Sequence, residues 1–251
     1  GESSICINLI GILYEKRKDH FKHIHTDFPD LLSKLSAKKN IEKLIHVSSL
    51  GIEKSLDSKY AISKIEGENK IKNNFDRAFI LKPSIVYSVD DNFTTNFMTL
   101  LNRLPIMPLY YEGKTKFEPI HVTDLAKIIF EVVEGRVKEK TIECVGPEIL
   151  SFREIILKLL KTIDKKRLLI PIPLTLAKMT AKIFEIMPNP LITVDQINLL
   201  KYDNINSGKY KTNFDIGIKA NKLFDEEIEK YSFNWKEGGQ YSRKKILKKK
   251  E

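Results

Sequence analysis

The chain has 251 residues, enough to bury a full core in one large domain or in a domain with a smaller lobe. Hydrophobic residues make up 42% of it and charged residues 30%, and no stretch holds the roughly 18 consecutive apolar residues of a membrane span. The net charge is +10, but without a nucleic-acid-binding motif such charge is weak support for binding to DNA or RNA. Cys6 and Cys144 lie in apolar runs, which favours buried reduced thiols over a disulfide framework or a metal site.

Strand and helix patterns alternate over the first ninety residues. In chain order they predict a buried parallel strand over 5–13, a helix over 28–35, a strand over 43–47, a helix over 60–73 and a strand over 77–81. Such alternation implies right-handed crossovers between parallel strands. The sequence therefore predicts an α/β fold with a doubly wound parallel sheet of the Rossmann type.

After residue 90 the pattern changes. The predicted elements are a helix over 93–104, a helix capped by Thr123 or Asp124 that runs through 133, a strand over 141–145, a helix begun by the capping box of Ser151 and Glu154, and an amphipathic helix over 174–187 ended by Pro188 and Pro190. Beyond residue 204 the signals fade, and we expect a poorly ordered or partner-dependent end.

Tyr60 and Lys64 are the most informative residues of the chain. They stand four positions apart, so on a helix they share one face, and the apolar run before them ends in Ser48 and Ser49. A tyrosine with its ordinary pKa of about 10 is a poor acid or base at neutral pH, whereas a nearby ammonium favours the phenolate and lowers that pKa. A hydroxyl at a strand end followed by such a pair is typical of carbonyl and alcohol chemistry.

The usual phosphate-binding turn is absent from this sequence. A dinucleotide-binding sheet normally opens with a strand and Gly-x-Gly-x-x-Gly, whose amides approach the pyrophosphate at a helix N-terminus. The chain has 11 glycines and no such cluster. We therefore expect an N-terminally incomplete domain, with about 70 further residues and three strands before the first strand seen here. That strand would then be a bare sheet edge with apolar flanks, which predicts poor solubility in isolation.

Six motifs in a fixed order resemble a known family. They are Ile7-Asn-Leu-Ile-Gly-Ile12, His46-Val-Ser-Ser-Leu-Gly51, Tyr60-x-x-x-Lys64 with Glu66-Gly67-Glu68, Leu81-Lys-Pro-Ser-Ile-Val-Tyr87, Phe117-Glu-Pro-Ile-His-Val-Thr-Asp124, and Gly146-Pro147 before Ser151-Phe152. Over about residues 1–205 the chain resembles the atypical, extended branch of the short-chain dehydrogenase/reductase superfamily. More narrowly, it resembles the NAD(P)-binding accessory subunits of the respiratory complex I alpha subcomplex and their bacterial relatives.

The resemblance implies a site for NADP or NAD. The residues it implies for cofactor binding are Asn8, Gly11, Ser48, Tyr60, Lys64, Lys82, Pro83, Ser84 and Ile85. It implies Tyr60 as the catalytic acid/base, Lys64 as the residue that holds the nicotinamide ribose, and Ser48 or Ser49 as the catalytic hydroxyl. Two positions depart from the family pattern: Leu50 stands where the extended enzymes usually place the catalytic Ser or Thr, and Ser88 replaces a usual glycine.

Two functions are compatible with these residues. The first is a structural or assembly subunit with bound NADPH, docked on a membrane-associated respiratory complex and peripheral to the inner membrane, in the cytoplasm or, in a eukaryote, in the mitochondrial matrix. The second is an active NAD(P)-dependent oxidoreductase, epimerase or dehydratase, in which Tyr60 and Lys64 act on a sugar-nucleotide or isoprenoid-like substrate. Both predict dinucleotide binding, and they differ in turnover.

The expected domain organisation follows from the same patterns. Residues 1–90 are predicted to form the C-terminal part of the dinucleotide-binding domain, 91–205 a smaller α/β lobe that returns to the sheet, and 206–251 a basic, disordered tail.

The lysine-rich end, 243–250, is either a solvated terminus or an anchor to anionic lipid or an acidic partner. The helix over 174–187 is either lobe core or a docking face. The spacing of His20, His23 and His25 does not favour a metal site.

Overall fold

The computed structural model describes residues 4–186, 190 and 192–241. Its strands are β1 (Ile5–Asn8), β2 (Lys43–Val47), β3 (Ala78–Pro83), β4 (Val86–Tyr87), β5 (Ile106–Leu109), β6 (Lys116–Phe117), β7 (Ile120–His121), β8 (Thr141–Cys144), β9 (Leu150–Ser151), β10 (Leu168–Pro171) and β11 (Lys211–Thr212). Its α-helices are α1 (His20–Lys22), α2 (Phe28–Lys38), α3 (Lys59–Asn74), α4 (Thr94–Arg103), α5 (Val122–Val133), α6 (Phe152–Thr162), α7 (Leu174–Phe184), α8 (Val194–Leu199) and α9 (Phe224–Ser232). A π-helical turn (His23–Asp27), here called the π-turn, joins α1 to α2.

A five-stranded parallel sheet in the order β1-β2-β3-β8-β11 forms the centre of the molecule. Every residue of β3 is buried, which fits a strand covered on both faces and explains its nearly continuous apolar sequence. The predicted α/β class with a parallel sheet is confirmed. Because β8 and β11 come from beyond residue 90, the later part of the chain returns to this sheet.

The first strand is shorter and more exposed than the sequence predicts. Only Ile5–Asn8 pairs, with β2 on one side, and Ile7 is 43% exposed, so the expectation of a buried strand over 5–13 is wrong. The strand ends at Asn8 because its side-chain oxygen accepts the N–H of Ile10 at 3.0 Å, which turns the chain out of the ladder.

Helix α3 is held at its N-terminus from two directions. The Ser58 side chain accepts the N–H of Ala61, and the Asp195 carboxylate of α8 accepts the N–H groups of Lys59 and Tyr60 at 2.7 and 3.2 Å. A carboxylate at this end also complements the helix dipole. The predicted helix over 60–73 is confirmed, with its start fixed by these caps.

A second core lies away from the sheet, among α4, α6 and α9. The sequence expectation of a poorly ordered segment beyond residue 204 is wrong up to residue 241, since β11 joins the sheet and Phe224, Ile228, Tyr231 and Trp235 are buried in this core. Their spacing of four, three and four residues is a helical pattern whose partners lie far away in sequence. The basic stretch 243–250 lies outside the described residues.

Two helix ends also differ from expectation. Helix α5 begins after His121, whose ring accepts the N–H of Thr123, so neither Thr123 nor Asp124 is its cap. The Asp124 carboxylate instead accepts the N–H groups of Asn221 and Lys222, both at 3.1 Å. Ser151 and Glu154 form the predicted capping box of α6.

Helix α7 has small residues on its inner face and large apolar residues on its outer face. It spans Leu174–Phe184 and buries Ala177 and Ala181, while Leu176, Met179 and Ile183 are exposed. The residues 187 to 189, where the predicted helix was to end, lie outside the described part of the chain. Among the described residues, none of the helices combines the length and the apolar character needed to cross a membrane.

Candidate functional site

The predicted site residues gather where the strands of the central sheet end. Asn8 ends β1, Ser48 and Ser49 directly follow β2, and Ser84 directly follows β3. In parallel α/β sheets, ligands bind in the crevice outside these carboxyl ends. Helix α3 runs alongside and brings Tyr60 and Lys64 to the same place.

Tyr60 is buried and hydrogen-bonded to Ser49. Burial raises the pKa of the Tyr60 phenol, the contact with Ser49 lowers it in part, and Asp195 adds to the rise. The Lys64 ammonium lies 5.8 Å from the centre of the Tyr60 ring. The expectation of a lowered pKa for Tyr60 is therefore wrong, because burial outweighs the contact with Ser49, and the phenol keeps its proton at neutral pH.

Lys64 carries a buried ammonium beside Gly11. Burial lowers the pKa of Lys64 to about 8, with Glu68 opposing the shift and Lys82 adding to it. The hydrogen bond to the Val47 carbonyl is long, 3.4 Å, and an ammonium has three N–H donors. A Cβ atom built on Gly11 would lie 3.4 Å from Lys64 Nζ, so the backbone at Gly11 passes close to the ammonium.

Ser48 and Lys82 are both bound to internal carboxylates. The Ser48 hydroxyl donates to Glu68 Oε1 at 2.5 Å, and Lys82 Nζ lies 2.5 Å from the same oxygen and 2.8 Å from Glu53. Burial disfavours the charge on Lys82, yet these two carboxylates raise the pKa of its ammonium overall. The roles predicted for Ser48 and Lys82 at the cofactor stay predictions. In this structure both side chains hold α3 against β2 and β3.

Ser84 and Leu50 are joined by Asn204, which sequence reasoning missed. The Ser84 hydroxyl donates to the Asn204 side-chain oxygen at 2.6 Å, and the Asn204 amide donates to the Leu50 carbonyl at 2.6 Å. Asn204 thus ties together the chain segments that follow β2 and β3. The carbonyl of Ile85 accepts the N–H of Ile120, and Pro83 is buried at the end of β3.

Two buried histidines were also missed as site residues. His25 lies in the π-turn, stacks on Phe21 with ring centres 5.4 Å apart, and meets the Tyr60 ring edge-on at 5.2 Å. His46 Nδ1 accepts the side-chain N–H of Asn8 at 2.9 Å, while its Nε2 is buried without a partner in the described structure. No group of His, Cys, Asp or Glu in the described ranges could hold a metal ion.

The residues present fit the nicotinamide half of a dinucleotide. Lys64 has N–H donors to spare, and Nε2 of the nearby His46 is buried without a partner in the described structure. A ribose offers hydroxyl groups that could accept from such an ammonium. For the pyrophosphate half, the 251-residue sequence offers no glycine-rich turn.

Comparison with known proteins agrees with this geometry. No family model matches the chain. It is 25% identical over 229 residues to NADH dehydrogenase [ubiquinone] 1 alpha subcomplex subunit 9, mitochondrial, of Mus musculus, covering 90% of this chain and 61% of that protein. It is 27% identical to the protein of the same name from Arabidopsis thaliana, with 95% of this chain and 62% of that protein covered. The resemblance to alpha subcomplex subunits that the sequence motifs indicate is thus supported by these relatives.

Solved structures with the same fold include sugar-nucleotide enzymes. The dTDP-glucose 4,6-dehydratase of Bacillus anthracis, solved in complex with NAD, gives a TM-score of 0.66 at 12% identity over 95% of this chain and 74% of that one. A shorter match, 26% over 124 residues, is to the ceramide reductase of Caulobacter vibrioides, covering 49% of this chain and 38% of that protein. The chain spans about three fifths of the length of the first two relatives, 61% and 62%.

Proposed function

We propose that the chain binds NADP or NAD where β1, β2 and β3 end and serves as a structural or assembly subunit of a membrane-associated respiratory complex. The observation that carries the binding proposal is the buried Lys64 ammonium, which makes one long hydrogen bond, to the Val47 carbonyl at 3.4 Å, and so has N–H donors to spare. The subunit role is supported by the relatives named as alpha subcomplex subunits. By the same argument we place the protein at the inner membrane as a peripheral subunit, on the cytoplasmic or matrix side.

The residues at the ends of these strands and on α3 have different roles in dinucleotide binding. Lys64 donates to the ribose hydroxyls of the nicotinamide nucleoside, and Tyr60 lies next to it with Ser49. Asn8 ends β1, Gly11 lies in the loop that passes close to Lys64, and Lys82, Pro83, Ser84 and Ile85 contribute from the end of β3. When bound, the nicotinamide supplies a hydride donor or acceptor at its C4 atom.

Two observations favour a structural role over catalysis. Burial raises the pKa of Tyr60, so the phenol is not poised as a base near neutral pH. The position where the extended enzymes place a catalytic hydroxyl is Leu50, whose side chain is buried in the core. The arrangement can therefore hold a ribose without the complete set of groups that moves a proton.

Dinucleotide titration by calorimetry tests the binding proposal on the 251-residue chain. We expect NADPH or NADH to bind, and Lys64→Met to weaken binding by at least about tenfold, since hydrogen bonds from a charged donor contribute about 1.5–3 kcal/mol. Lys70→Met is the matched control, because Lys70 lies exposed on the same helix. A wild-type chain that binds neither NADP(H) nor NAD(H) contradicts the proposal.

One contact favours the second candidate, an active reductase. Ser49 is hydrogen-bonded to Tyr60, so a hydroxyl does accompany the candidate acid/base despite Leu50. The ceramide reductase relative is in line with this alternative. Under it, Tyr60→Phe abolishes dinucleotide-dependent reduction of a carbonyl substrate while binding persists. Under the structural role, Tyr60→Phe leaves assembly into the complex unchanged.

The outer face of α7 is the proposed contact with the rest of the complex. Leu176, Met179 and Ile183 form one stripe along the helix and are 43%, 57% and 59% exposed. Lys178 and Lys182 lie beside this stripe on the next face. An apolar stripe flanked by cations fits an apolar protein surface with an acidic rim, so we assign it to another subunit of the complex.

Native electrophoresis of the assembled complex tests this contact. Met179→Glu with Ile183→Glu should abolish co-migration with the complex without changing the melting temperature of the isolated chain, because both side chains are exposed. Glu139→Gln and Lys138→Gln, on a loop remote from α7 in sequence, serve as control. Unchanged co-migration contradicts the assignment. If the variant instead loses only binding to anionic vesicles, the stripe contacts lipid.

A further inference from the structure

We propose that His25 is a positioning residue of the dinucleotide site. It ties the loop of residues 9–12 to helix α3 through one directed chain of hydrogen bonds. The inference rests on the proposed function, since that loop and that helix are the two parts that would enclose the nicotinamide ribose.

The direction of every bond in this chain is fixed by its donors. The backbone N–H of Ile12 can only donate, so His25 Nε2, 3.1 Å away, is an acceptor without a proton. The ring proton therefore lies on Nδ1 and is donated to Ser63 Oγ at 3.0 Å. The Ser63 hydroxyl in turn donates to the backbone carbonyl of Tyr60 at 2.8 Å. The loop after β1 is thus connected to the turn of α3 that carries Tyr60.

His25 can do this only as a neutral imidazole. An imidazolium has two donors and no acceptor, so protonation would break the bond to Ile12. Burial, together with the charges of Lys64 and His20, lowers the pKa of His25 to about 3. The surroundings of the ring thus keep it in the one form that the hydrogen-bond chain requires.

The π-turn places the His25 ring where both ends of the chain can reach it. At this turn α3 approaches so closely that a Cβ atom on Gly67 would lie 1.9 Å from the His25 carbonyl oxygen. A second tie runs beside the first, from the Thr26 hydroxyl to the Ser63 carbonyl at 3.0 Å. Single-turn π-insertions are frequent at functional sites, and here the insertion delivers a histidine to the Tyr60 ring.

The loop passes directly over Lys64 as a result. A Cβ atom on Gly11 would lie 3.4 Å from Lys64 Nζ and 3.8 Å from His25 Nε2, so the glycine sits between the two side chains. With Ile12 anchored on His25, the path of Gly11 is set before any ligand arrives. A wall that is already ordered lowers the entropy cost of binding, and this is the contribution we assign to His25.

Two substitutions separate positioning from general support of the fold. His25→Leu removes the acceptor, whereas His25→Gln supplies an amide oxygen that can replace Nε2 toward Ile12. We expect His25→Leu to speed hydrogen exchange of the Ile12 amide and to weaken NADPH or NADH binding about five- to tenfold, the equivalent of one lost hydrogen bond. His25→Gln should restore most of both. Nitrogen NMR of the wild type should show His25 protonated on Nδ1 alone.

The outcomes are distinguishable. If the wild type binds a dinucleotide and His25→Leu binds it with the same affinity, His25 is not a positioning residue. The same conclusion follows if His25→Gln is as impaired as His25→Leu, or if Nε2 carries the proton. If the wild type binds neither dinucleotide, the proposed function fails first and this inference fails with it.

Discussion

At the scale of single residues, burial controls the chemistry of the site more than neighbouring charge does. Tyr60 shows this most clearly, since loss of solvent raises the pKa of its phenol although Lys64 lies one turn away on the same helix. Burial also lowers the pKa of the Lys64 ammonium, to about 8, which is close to neutral pH. A buried ammonium of this kind favours a ligand whose oxygen atoms accept its N–H groups in place of water.

The pKa of Lys64 predicts how dinucleotide binding depends on pH. Below about pH 8 the ammonium keeps its proton and can donate to ribose hydroxyls, and above it the charge is lost. Affinity should therefore fall as the pH rises from 8 to 10, by up to about tenfold per pH unit.

Calorimetric titrations at pH 7, 8, 9 and 10 measure this fall. Lys64→Met, which has no proton to lose, should bind weakly with little change across the same range. A wild-type affinity that is level from pH 7 to 10 would show that the Lys64 charge takes no part in binding.

At the scale of elements, the local sequence is sufficient to predict helix α3 but not the contacts that surround it. The helix predicted over 60–73 agrees with α3 to within one residue at each end, and its cap, Ser58, lies next to it in the sequence. The contacts that complete the site join distant segments: Asn204 reaches Ser84 across 120 residues and Leu50 across 154. The π-turn has no sequence signature, so the position of His25 could not be derived, and β1 was extended too far because Asn8 ends it through its own side chain.

Gly67 tests the close packing between α3 and the π-turn. Alanine usually favours a helix over glycine by about 1 kcal/mol, but here its Cβ would collide with a backbone carbonyl that cannot turn aside. We expect Gly67→Ala to destabilise the protein by about 1–3 kcal/mol, as overpacking does.

Urea unfolding measures this cost, and Asn73→Ala is the control on the same helix, since residue 73 is exposed. The control should be neutral or slightly more stable. A Gly67→Ala variant that is stabilised like the control would mean that α3 and the π-turn are not in close contact.

At the scale of the whole molecule, two buried histidines beside the candidate site make the stability of the fold depend on pH. Burial lowers the pKa of both His25 and His46 to about 3, with Lys64 the next cause for each. In an unfolded chain both would titrate near 6.5. Between pH 6.5 and pH 3 the unfolded state therefore binds more protons than the folded state, so the free energy of unfolding falls as the pH falls.

The size of this effect follows from the distance between the two pKa values. At pH 4.5, two pH units below the unfolded pKa, each histidine should lower the free energy of unfolding by about 2–3 kcal/mol relative to pH 7.

Urea unfolding at both pH values measures the loss in the wild type and in the double variant His25→Gln with His46→Asn. The double variant should lose less stability, because it lacks the two histidines that bind protons only in the unfolded state. Carboxylates that titrate in this range are common to both proteins and cancel in the comparison. His23→Gln, which alters an exposed histidine, should behave as the wild type does. Equal losses in all three proteins would place the acid sensitivity of the fold elsewhere.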